Sequence, residues 1–510
     1  MPSKLYLILC VFILATFSKS AFAQDVAEKS ISNSEAMSTT GCAYANVSRN
    51  AELLKQTPQT LQQIEQSNLI SAFDFILSTQ TKLLSQATTP SNSDFPTAVP
   101  QTSPQTTENK QLEAEASDAT DVSKPASPSS EPAKPTPFKP PATSPKANYS
   151  VTSEYYYYNW SDDLGNSGSQ FVAPITFTYQ QGNFDVGLRT AYINSNFEGV
   201  LLLDGMKIGT RKGQVSTLSD TSASFAYTLK ELSWPIRFNL DLNLPTGRAT
   251  LVGNEKNAIM DGALVQQTRF GEGFNIAPGI SISHAFGNKD VVGLGVSHIF
   301  RGQFDPNGDV SNDEIDPGDE TVATLQYQHN ENNWLLIGGL IYTNYGLTQR
   351  GGQDYYRSGD RLDANATLVY SPFERHRVQL SGRYFTQSPN DVVNFLSGNI
   401  SKETANSNGN ALFLSFDWGV ALGKQQRHTV HLLADYLNVE ANSYDRINDL
   451  FNAGRDKFSI GLGYDYALSS KSRFSLQAKY FNLTDNATPV TQRDVNADGL
   501  NLYGTLNFSF

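Results

Sequence analysis

The chain has 510 residues, with 38 lysine and arginine residues against 50 aspartate and glutamate residues, a formal net charge of −12 and two cysteines. This excess of acid argues against a nucleic-acid-binding protein, which would carry a basic face. No stretch of the sequence reaches the roughly 18 apolar residues that a membrane-spanning helix needs, so a membrane protein of this sequence would have to cross the bilayer with strands.

The amino-terminal residues have the features of a secretory signal peptide. Lys4 precedes an apolar run over residues 5–17, and small residues just before Gln24 supply a cleavage site. We therefore predict that residues 1–23 are a signal peptide. One cysteine is lost with them, and Cys42 is then a single thiol that is either inert or used in an intermolecular disulfide.

Two further segments precede residue 149. Residues 24–89 are predicted to be a periplasmic segment in which apolar residues at helical spacing form an amphipathic helix over about 58–86. Because a lone helix cannot bury its apolar stripe, we expect it to pair with itself as a coiled coil or with a periplasmic protein. Residues 90–148 are rich in proline, serine and threonine, which predicts a disordered linker.

Residues 149–510 show repeated alternation of apolar and polar side chains, which is typical of β-strands with two different faces. In one such segment Ile236, Phe238 and Leu240 share a face, and Arg237 and Asn239 share the other. These segments run for about ten residues, the length that a tilted strand needs to cross a bilayer. We predict an all-β protein, a transmembrane antiparallel β-barrel.

Short and long connections alternate between the predicted strands. The short ones lie near 180–183, 230–233, 286–290, 330–333, 371–375, 422–427 and 468–472, and the long ones near 161–168, 195–220, 245–272, 302–319, 347–358, 388–410, 438–456 and 484–499. Outer-membrane barrels have tight periplasmic turns and long outer loops. Seven short and eight long connections predict about 16 strands. Both chain ends of the barrel then lie on the periplasmic side.

The last strand alternates apolar and polar residues and ends on an aromatic residue. Phe508 and Phe510 share its apolar face. This pattern resembles the terminal strand of outer-membrane barrels, which the barrel-assembly machinery recognises. It predicts a cell outer membrane location, with the amino-terminal region in the periplasm and outer-membrane lipid around the barrel.

Aromatic residues cluster near the predicted strand ends, where rings favour the headgroup layer of a membrane. This predicts interfacial girdles; for the tyrosines at 155–158, stacking against a sugar is the functional alternative. The girdle candidates are Tyr155, Tyr156, Tyr157, Tyr158, Trp160, Trp234, Trp334, Tyr342, Tyr345, Trp418 and Tyr436.

Charged side chains of both signs alternate with the apolar residues and would be costly in lipid, at about 2–4 kcal/mol for Arg or Lys at mid-depth. We therefore predict that they face the lumen. The candidates are Asp185, Arg189, Arg237, Asp241, Asp363, Arg377, Arg383, Asp417, His431, Asp435, Asp465 and Lys479. A polar conduit for a small-molecule solute is one interpretation, and a salt-bridged barrel without throughput is the other. A plug formed by a loop or by the N-terminal segment would also close the lumen.

Two loops carry acidic and amide oxygens at alternate positions, which is the arrangement that calcium prefers. The candidate ligands are Asp305, Asn307 and Asp309 in one loop and Asp494, Asn496 and Asp498 in the other. Neither loop completes an EF-hand pattern, so solvated surface loops are the alternative. Calcium is the one cofactor that the sequence suggests.

The sequence contains no nucleophile elbow, HExxH, CxxC or phosphate-binding glycine loop, and we predict no enzymatic activity. Residues 234–327 resemble the outer-membrane proteins grouped with the phenol-degradation meta-pathway. The resemblance lies in turn motifs: Leu244-Pro245-Thr246-Gly247, Gly271-Glu272-Gly273-Phe274, Ser283-His284-Ala285-Phe286-Gly287 and Asp316-Pro317-Gly318-Asp319. It implies a barrel, presumed to pass small, sometimes hydrophobic molecules.

The sequence thus predicts an outer-membrane channel or transporter for small solutes. An envelope export or assembly component that recruits a periplasmic partner through the helix at 58–86 is one alternative. A structural or adhesive surface barrel with binding loops is the other.

Overall fold

The computed structural model describes residues 147–203, 206–393, 398–448, 450–489 and 491–510. The predicted signal peptide, the helix at 58–86 and nearly all of the proline-rich linker lie outside these residues, and they stay predictions. Within the described ranges, no helix has the length and apolar character to span a membrane.

The described chain is an antiparallel meander of strands that closes into a barrel. Sixteen positions make up its wall, in agreement with the predicted strand number. The wall strands are β1 (Asn148–Asp162), β2 (Ser167–Gln181), β3 (Phe184–Leu203), β4 (Met206–Leu218) with β5 (Thr221–Leu229), β6 (Ile236–Leu244), β7 (Asn275–Phe286), β8 (Asp290–Ile299), β10 (Glu320–Glu331), β11 (Trp334–Tyr345), β14 (Arg361–Phe373), β15 (His376–Gln387), β18 (Ala411–Leu422), β19 (His428–Val439), β20 (Arg455–Ser469), β21 (Ser472–Asp485) and β22 (Val495–Ser509).

Strands β4 and β5 together occupy one wall position. Both pair antiparallel with β3, β4 along its second half and β5 along its first half. The barrel closes where β1 pairs antiparallel with β22, from Ser150 opposite Ser509 to Asp162 opposite Ala497. Closure gives the first and the last strand a ladder partner on both sides, as a β-sheet needs in order to cross a bilayer. In the described wall, β4 pairs on one side only, with β3.

One end of the barrel, the turn end, carries the seven short connections 182–183, 230–235, 287–289, 332–333, 374–375, 423–427 and 470–471. Both ends of the meander, at Asn148 and Ser509, also lie there. The opposite end, the loop end, carries the connections 163–166, 204–205, 245–274, 300–319, 346–360, 388–410, 440–454 and 486–494. The predicted alternation is confirmed with two corrections. The expected long connection at 161–168 consists only of residues 163–166, which is shorter than the turn-end connection 230–235. The expected long loop at 195–220 is a hairpin of β3 and β4, because both halves of that segment find ladder partners in each other.

The two faces of the wall differ in chemistry. On β3, Phe184, Leu188 and Tyr192 are 41–45% exposed, whereas Ala191 and Ile193, on the opposite face, are 6% and 0% exposed. In most strands the exposed large apolar side chains share one face, which the register aligns from neighbour to neighbour. We call this the outward face, and its alternate the inward face. An exposed apolar belt of this size requires a hydrocarbon surrounding.

Loops at the loop end add a second, five-stranded sheet in the order β17-β16-β13-β12-β9. Its strands are short: β9 (Ile315–Asp316), β12 (Thr348–Arg350), β13 (Gln353–Arg357), β16 (Asp391–Val393) and β17 (Ile400–Lys402). One 3₁₀ helix, η1 (Gly253–Ala258), lies in the longest connection.

Candidate transport lumen and its inward loop

The connection 245–274, here called the inward loop, starts and ends at one carboxylate. Asp220, in the break between β4 and β5, accepts the backbone N–H of Gly247 at 2.8 Å and that of Glu272 at 2.7 Å. The backbone N–H of Arg248 donates to the carbonyl of Phe270 at 3.0 Å. The two roots of the loop therefore lie side by side, and the residues between them leave the wall and return to it.

The apolar side of the inward loop packs against inward-facing residues of the wall in two clusters. In the first, Leu251, Ala258 and Phe270 of the loop pack with Val172 and Ile193. In the second, the loop residues Met260, Leu264 and Val265 pack with Trp160, Phe481, Leu483 and Ala497 of β1, β21 and β22. Since wall residues such as Val172 and Phe481 are 0% exposed, the loop covers the inner wall from β3 round to β21.

Polar contacts fix the same loop to the wall. Gln170 exchanges two hydrogen bonds with the backbone of Gln267, at 2.7 and 2.8 Å. The hydroxyl of Ser195 donates to the carbonyl of Ala258 at 2.8 Å. These bonds satisfy backbone groups that would otherwise be buried without a partner, so they select one position for the loop.

A charged contact holds the far point of the loop. The guanidinium of Arg455 on β20 lies 2.7 Å from the carboxylate of Asp261, and the ammonium of Lys457 donates to the carbonyl of Ala263. The ammonium of Lys457 also lies 4.1 Å from the ring centroid of Phe481. The inward loop is therefore held against β20 as well as at its roots.

Close approach of η1 to the wall depends on a glycine. A Cβ atom at Gly213 on β4 would lie 2.3 Å from the backbone nitrogen of Ala258 and 2.4 Å from the carbonyl carbon of Asn257. Backbone cannot yield as a flexible side chain can, so a larger residue would push η1 away from the wall.

A cavity of about 570 Å³ lies beside η1 at the loop end. Much of its lining is polar and includes Asn159, Ser169, Asn196, Glu198, Lys212 and Asn254. Lys212 and Glu198 form an ion pair of 2.9 Å in this lining. The inward loop therefore borders a space that is lined in large part by polar side chains.

The predicted lumen residues lie on the inward face of their strands, by alternation with the exposed apolar residues, and most form pairs. Arg237, only 7% exposed, lies 2.5 Å from Asp185. Arg189 lies 3.2 Å from Glu154 on β1. Asp241 accepts a hydrogen bond from Asn239 at 3.2 Å. This part of the inner wall therefore carries nearly equal numbers of positive and negative charges.

A second group surrounds Asp363, which is 1% exposed. Its carboxylate accepts from Arg361 at 2.9 and 3.2 Å and from Arg383 at 3.0 Å. The guanidinium of Arg361 also lies 4.0 Å from the ring centroid of Phe385. Two cations on one buried anion leave the group with a net positive charge. Arg377, further along the same strand as Arg383, is exposed and donates to Gln379 at 3.2 Å.

A third group is acidic. His431 on β19 lies between two carboxylates, 2.7 Å from Asp417 and 3.4 Å from Asp465. On the same wall Lys479 lies 2.6 Å from Asp435. The inner wall therefore has a net positive charge around Asp363 and a net negative charge around His431, a few strands away.

The four tyrosines at 155–158 divide between the two faces. Tyr155 and Tyr157 are exposed on the outward face at 49% and 39%, which fits a girdle. Tyr156 and Tyr158 face inward, and the ring of Tyr156 lies 4.8 Å from that of Tyr503 on β22. The girdle prediction is wrong for these two and for Trp160 and Tyr345, which are both 5% exposed, because alternation puts every second residue of a strand inside.

The oxygens proposed for calcium already accept other donors. In the first loop the ammonium of Lys256 lies 2.8 Å from Asn307 Oδ1 and 2.7 Å from Asp309 Oδ2, and the N–H of Asn307 donates to Asp305 at 2.9 Å. In the second loop the carboxylate of Asp494 accepts from the N–H of Ala487 at 2.8 Å.

The other two candidates of that second loop, Asn496 and Asp498, lie in β22, where Asn496 accepts from Thr484 at 2.9 Å. Within the part of the chain that the structure describes, no three His, Cys, Asp or Glu residues are grouped to hold a metal ion. Calcium binding stays a prediction.

The proposed assembly signal lies at the turn end. Phe508 pairs with Val151 on β1 and with Ser472 on β21, and the N–H of Phe510 donates to the carbonyl of Tyr149 at 2.9 Å. Phe508 is 37% exposed and Phe510 63% exposed. The terminal aromatic side chains are therefore accessible next to the seam that closes the barrel.

The charged contact of the inward loop has a pH dependence. Burial alone would raise the pKa of Asp261, but the guanidinium of Arg455 outweighs it, and the pKa is lower than usual. Because the pKa is lowered, the ionised carboxylate stabilises the contact at neutral pH. This contribution is lost only as the pH falls through the lowered pKa, which lies below the usual value of about 4. We expect the contact of Asp261 with Arg455 to leave the conductance unchanged above about pH 5 and to raise it only below about pH 4, where the loop is released.

The matched variant Asp261→Asn cannot titrate at this position and should lack the acid step. Single-channel recordings of both proteins over the same pH range check this. A step near neutral pH, or an equal acid step in the variant, would assign the effect to another group.

No protein-family model and no curated protein matches the chain. Among solved structures it is similar to the CymD monoaromatic hydrocarbon channel, at 11% identity over 72% of this chain and 89% of that one, with a TM-score of 0.35. It is also similar to Pseudomonas aeruginosa OpdQ, at 11% identity over 71% and 99%, and to a Pseudomonas aeruginosa FadL homologue, at 8% identity over 71% and 90%, both with TM-scores of 0.36. TM-scores this low leave the function of this chain to be argued from its own residues.

Proposed function

We propose that this chain is an outer-membrane channel that passes small polar solutes through a lumen narrowed by the inward loop. The observation that carries the proposal is the contrast between the two faces of a closed barrel of sixteen wall positions. The outward face is apolar and exposed, and the inward face carries paired charges of both signs. Lipid outside and water inside are the surroundings that such faces require.

A path for solutes is supported by the side of the lumen that faces β15 and β18. The inward loop packs on β1 to β4 and on β20 to β22. On β15, Arg377 is exposed, and the side chain of Asp417 on β18 is 31% exposed. Water therefore reaches inward-facing charges on that side. Mixed charges favour small polar or zwitterionic solutes over large apolar ones, because the latter leave charges poorly solvated.

We also propose an orientation of the barrel in the membrane and a role for its inward charges that is not catalytic. The turn end lies in the periplasm, because the short connections and both ends of the meander share it. Phe508 and Phe510 at this end are proposed to contact the barrel-assembly machinery. The inward charges are proposed to act as a solute path and not as an active site. The export and adhesion alternatives depend on the helix at 58–86 and on loop partners, and they stay predictions.

Planar bilayers test the channel directly. We expect the refolded full chain to give discrete current steps in a neutral lipid bilayer, with weak selectivity between cations and anions because the lumen charges are paired. A second protein without residues 24–148 should give steps of similar size, since its barrel is unchanged. A folded barrel that gives no steps in either form would refute the channel.

A further inference from the structure

Three successive short connections at the turn end, 374–375, 423–427 and 470–471, carry an unusual charge. They join β14 to β15, β18 to β19 and β20 to β21, which are close together on the barrel. Their charged residues are Arg375, Lys424, Arg427 and Lys471 against a single acid, Glu374. Four cations minus one anion give this cationic sector a formal charge of +3. All five side chains are exposed.

The cations of this sector differ from the others at the same end. Lys230, in the connection 230–235, donates to the carbonyl of Gly182 at 2.7 Å. Lys289, in the connection 287–289, lies 2.5 Å from Glu331. By contrast, the structure shows no ion pair for the four sector cations with any residue of the described ranges. Their charge is thus available to a partner outside the protein.

Aromatic and imidazole rings lie on the outward face just beside the sector. The rings of His376 and Trp418 stack with centroids 5.9 Å apart, and the indole N–H donates to the imidazole at 3.3 Å. His428 lies 2.7 Å from the hydroxyl of Tyr464 and 4.9 Å, between ring centroids, from Tyr466. Trp418 and Tyr464 are 39% and 37% exposed. Such amphipathic rings favour the depth of the lipid headgroups.

We propose that the cationic sector binds the phosphate headgroup of an anionic phospholipid in the leaflet at the turn end. The cations lie at the level of the headgroups, next to the rings that mark it, and Arg and Lys are the side chains that bind phosphate oxygens best. Because these exposed cations form no ion pair within the described ranges, they bind an anion without the cost of first breaking one. This inference rests on the proposed membrane position, because only that position brings headgroups to this end of the barrel.

The test measures lipid binding by the full chain, refolded in a neutral detergent, with native mass spectrometry during titration with phosphatidylglycerol or phosphatidylcholine. We expect preferential binding of phosphatidylglycerol that weakens as the ionic strength rises. Each cation near an anionic surface contributes about fivefold in affinity. Lys424→Gln should therefore lower the affinity about fivefold, and replacing all four cations with glutamine should abolish the preference.

The matched control replaces Lys230 and Lys289, which have partners within the protein, and should keep the preference for phosphatidylglycerol. The heat-dependent gel mobility of each variant shows that its barrel has folded. An equal loss in the control variant, or no loss in the fourfold variant, would overturn the inference. A chain that conducts in bilayers but binds both lipids equally would overturn it while the channel stands. A chain that gives no current steps in bilayers and binds both lipids equally would overturn both.

Discussion

Replacing residues 250–268 with a short glycine-serine linker is expected to raise the single-channel conductance several-fold. These residues form the part of the inward loop that leaves the wall. They include all of its cluster residues except Phe270, and they include Asp261, which contacts Arg455. The roots at Arg248 and Phe270 are already hydrogen-bonded at 3.0 Å, so a short linker can join them without strain on the wall. A sixteen-strand barrel without an internal loop is wide enough for an aqueous channel.

The control shortens the connection 440–454 around Ile447, which is 92% exposed and belongs to neither apolar cluster. The conductance of this control variant should equal that of the unchanged chain. A smaller increase is expected for Arg455→Gln, which releases only the far point of the inward loop. If the 250–268 deletion folds and conducts no better than the full chain, the loop does not narrow the path, and its packing serves stability alone.

Replacing Asp363 with leucine is expected to destabilise the barrel by about 3–5 kcal/mol, the usual result of removing one member of a buried ion pair. The carboxylate is the shared acceptor of Arg361 and Arg383, and it is only 1% exposed. Without it two guanidinium groups lie close together in a site that water hardly enters. Urea titration of the barrel in lipid vesicles, followed by tryptophan fluorescence, measures the loss.

Two further variants define the cause of that loss. Glu374→Leu removes an exposed acid and should change the stability by less than about 0.5 kcal/mol. Combining Asp363→Leu with Arg361→Met and Arg383→Met removes every charge of the group and should recover much of the stability, because apolar replacement of a whole buried ion cluster is often neutral or better. If the triple variant is less stable than Asp363→Leu alone, the uncompensated arginines are not the origin of the effect.

The sequence predicts the wall well because the wall obeys a local rule. Alternation with a period of two residues is visible within any one strand, and it places Asp185 and Phe184 on opposite faces without knowledge of the fold. Turn residues are equally local, so the seven short connections are recognisable in the sequence. The same rule places Tyr156 and Tyr155 on opposite faces, so a run of four aromatic residues in one strand cannot form a single girdle.

No local pattern in the sequence predicts that the loop at 245–274 turns into the barrel. The resemblance motifs around Gly247 and Gly271 predict turns at its roots, and in the structure those two turns lie side by side. Whether the residues between them rise above the rim or enter the barrel depends on partners far away in sequence. Met260 packs on Trp160, and Asp261 meets Arg455. Partner choice of this kind needs the register of the whole barrel.

The carboxylate of Asp220 has a mechanical consequence. It occupies the joint where β4 gives way to β5, and it holds both roots of the inward loop through Gly247 and Glu272. Moving either root of the loop away from the wall would therefore break a hydrogen bond to this one carboxylate.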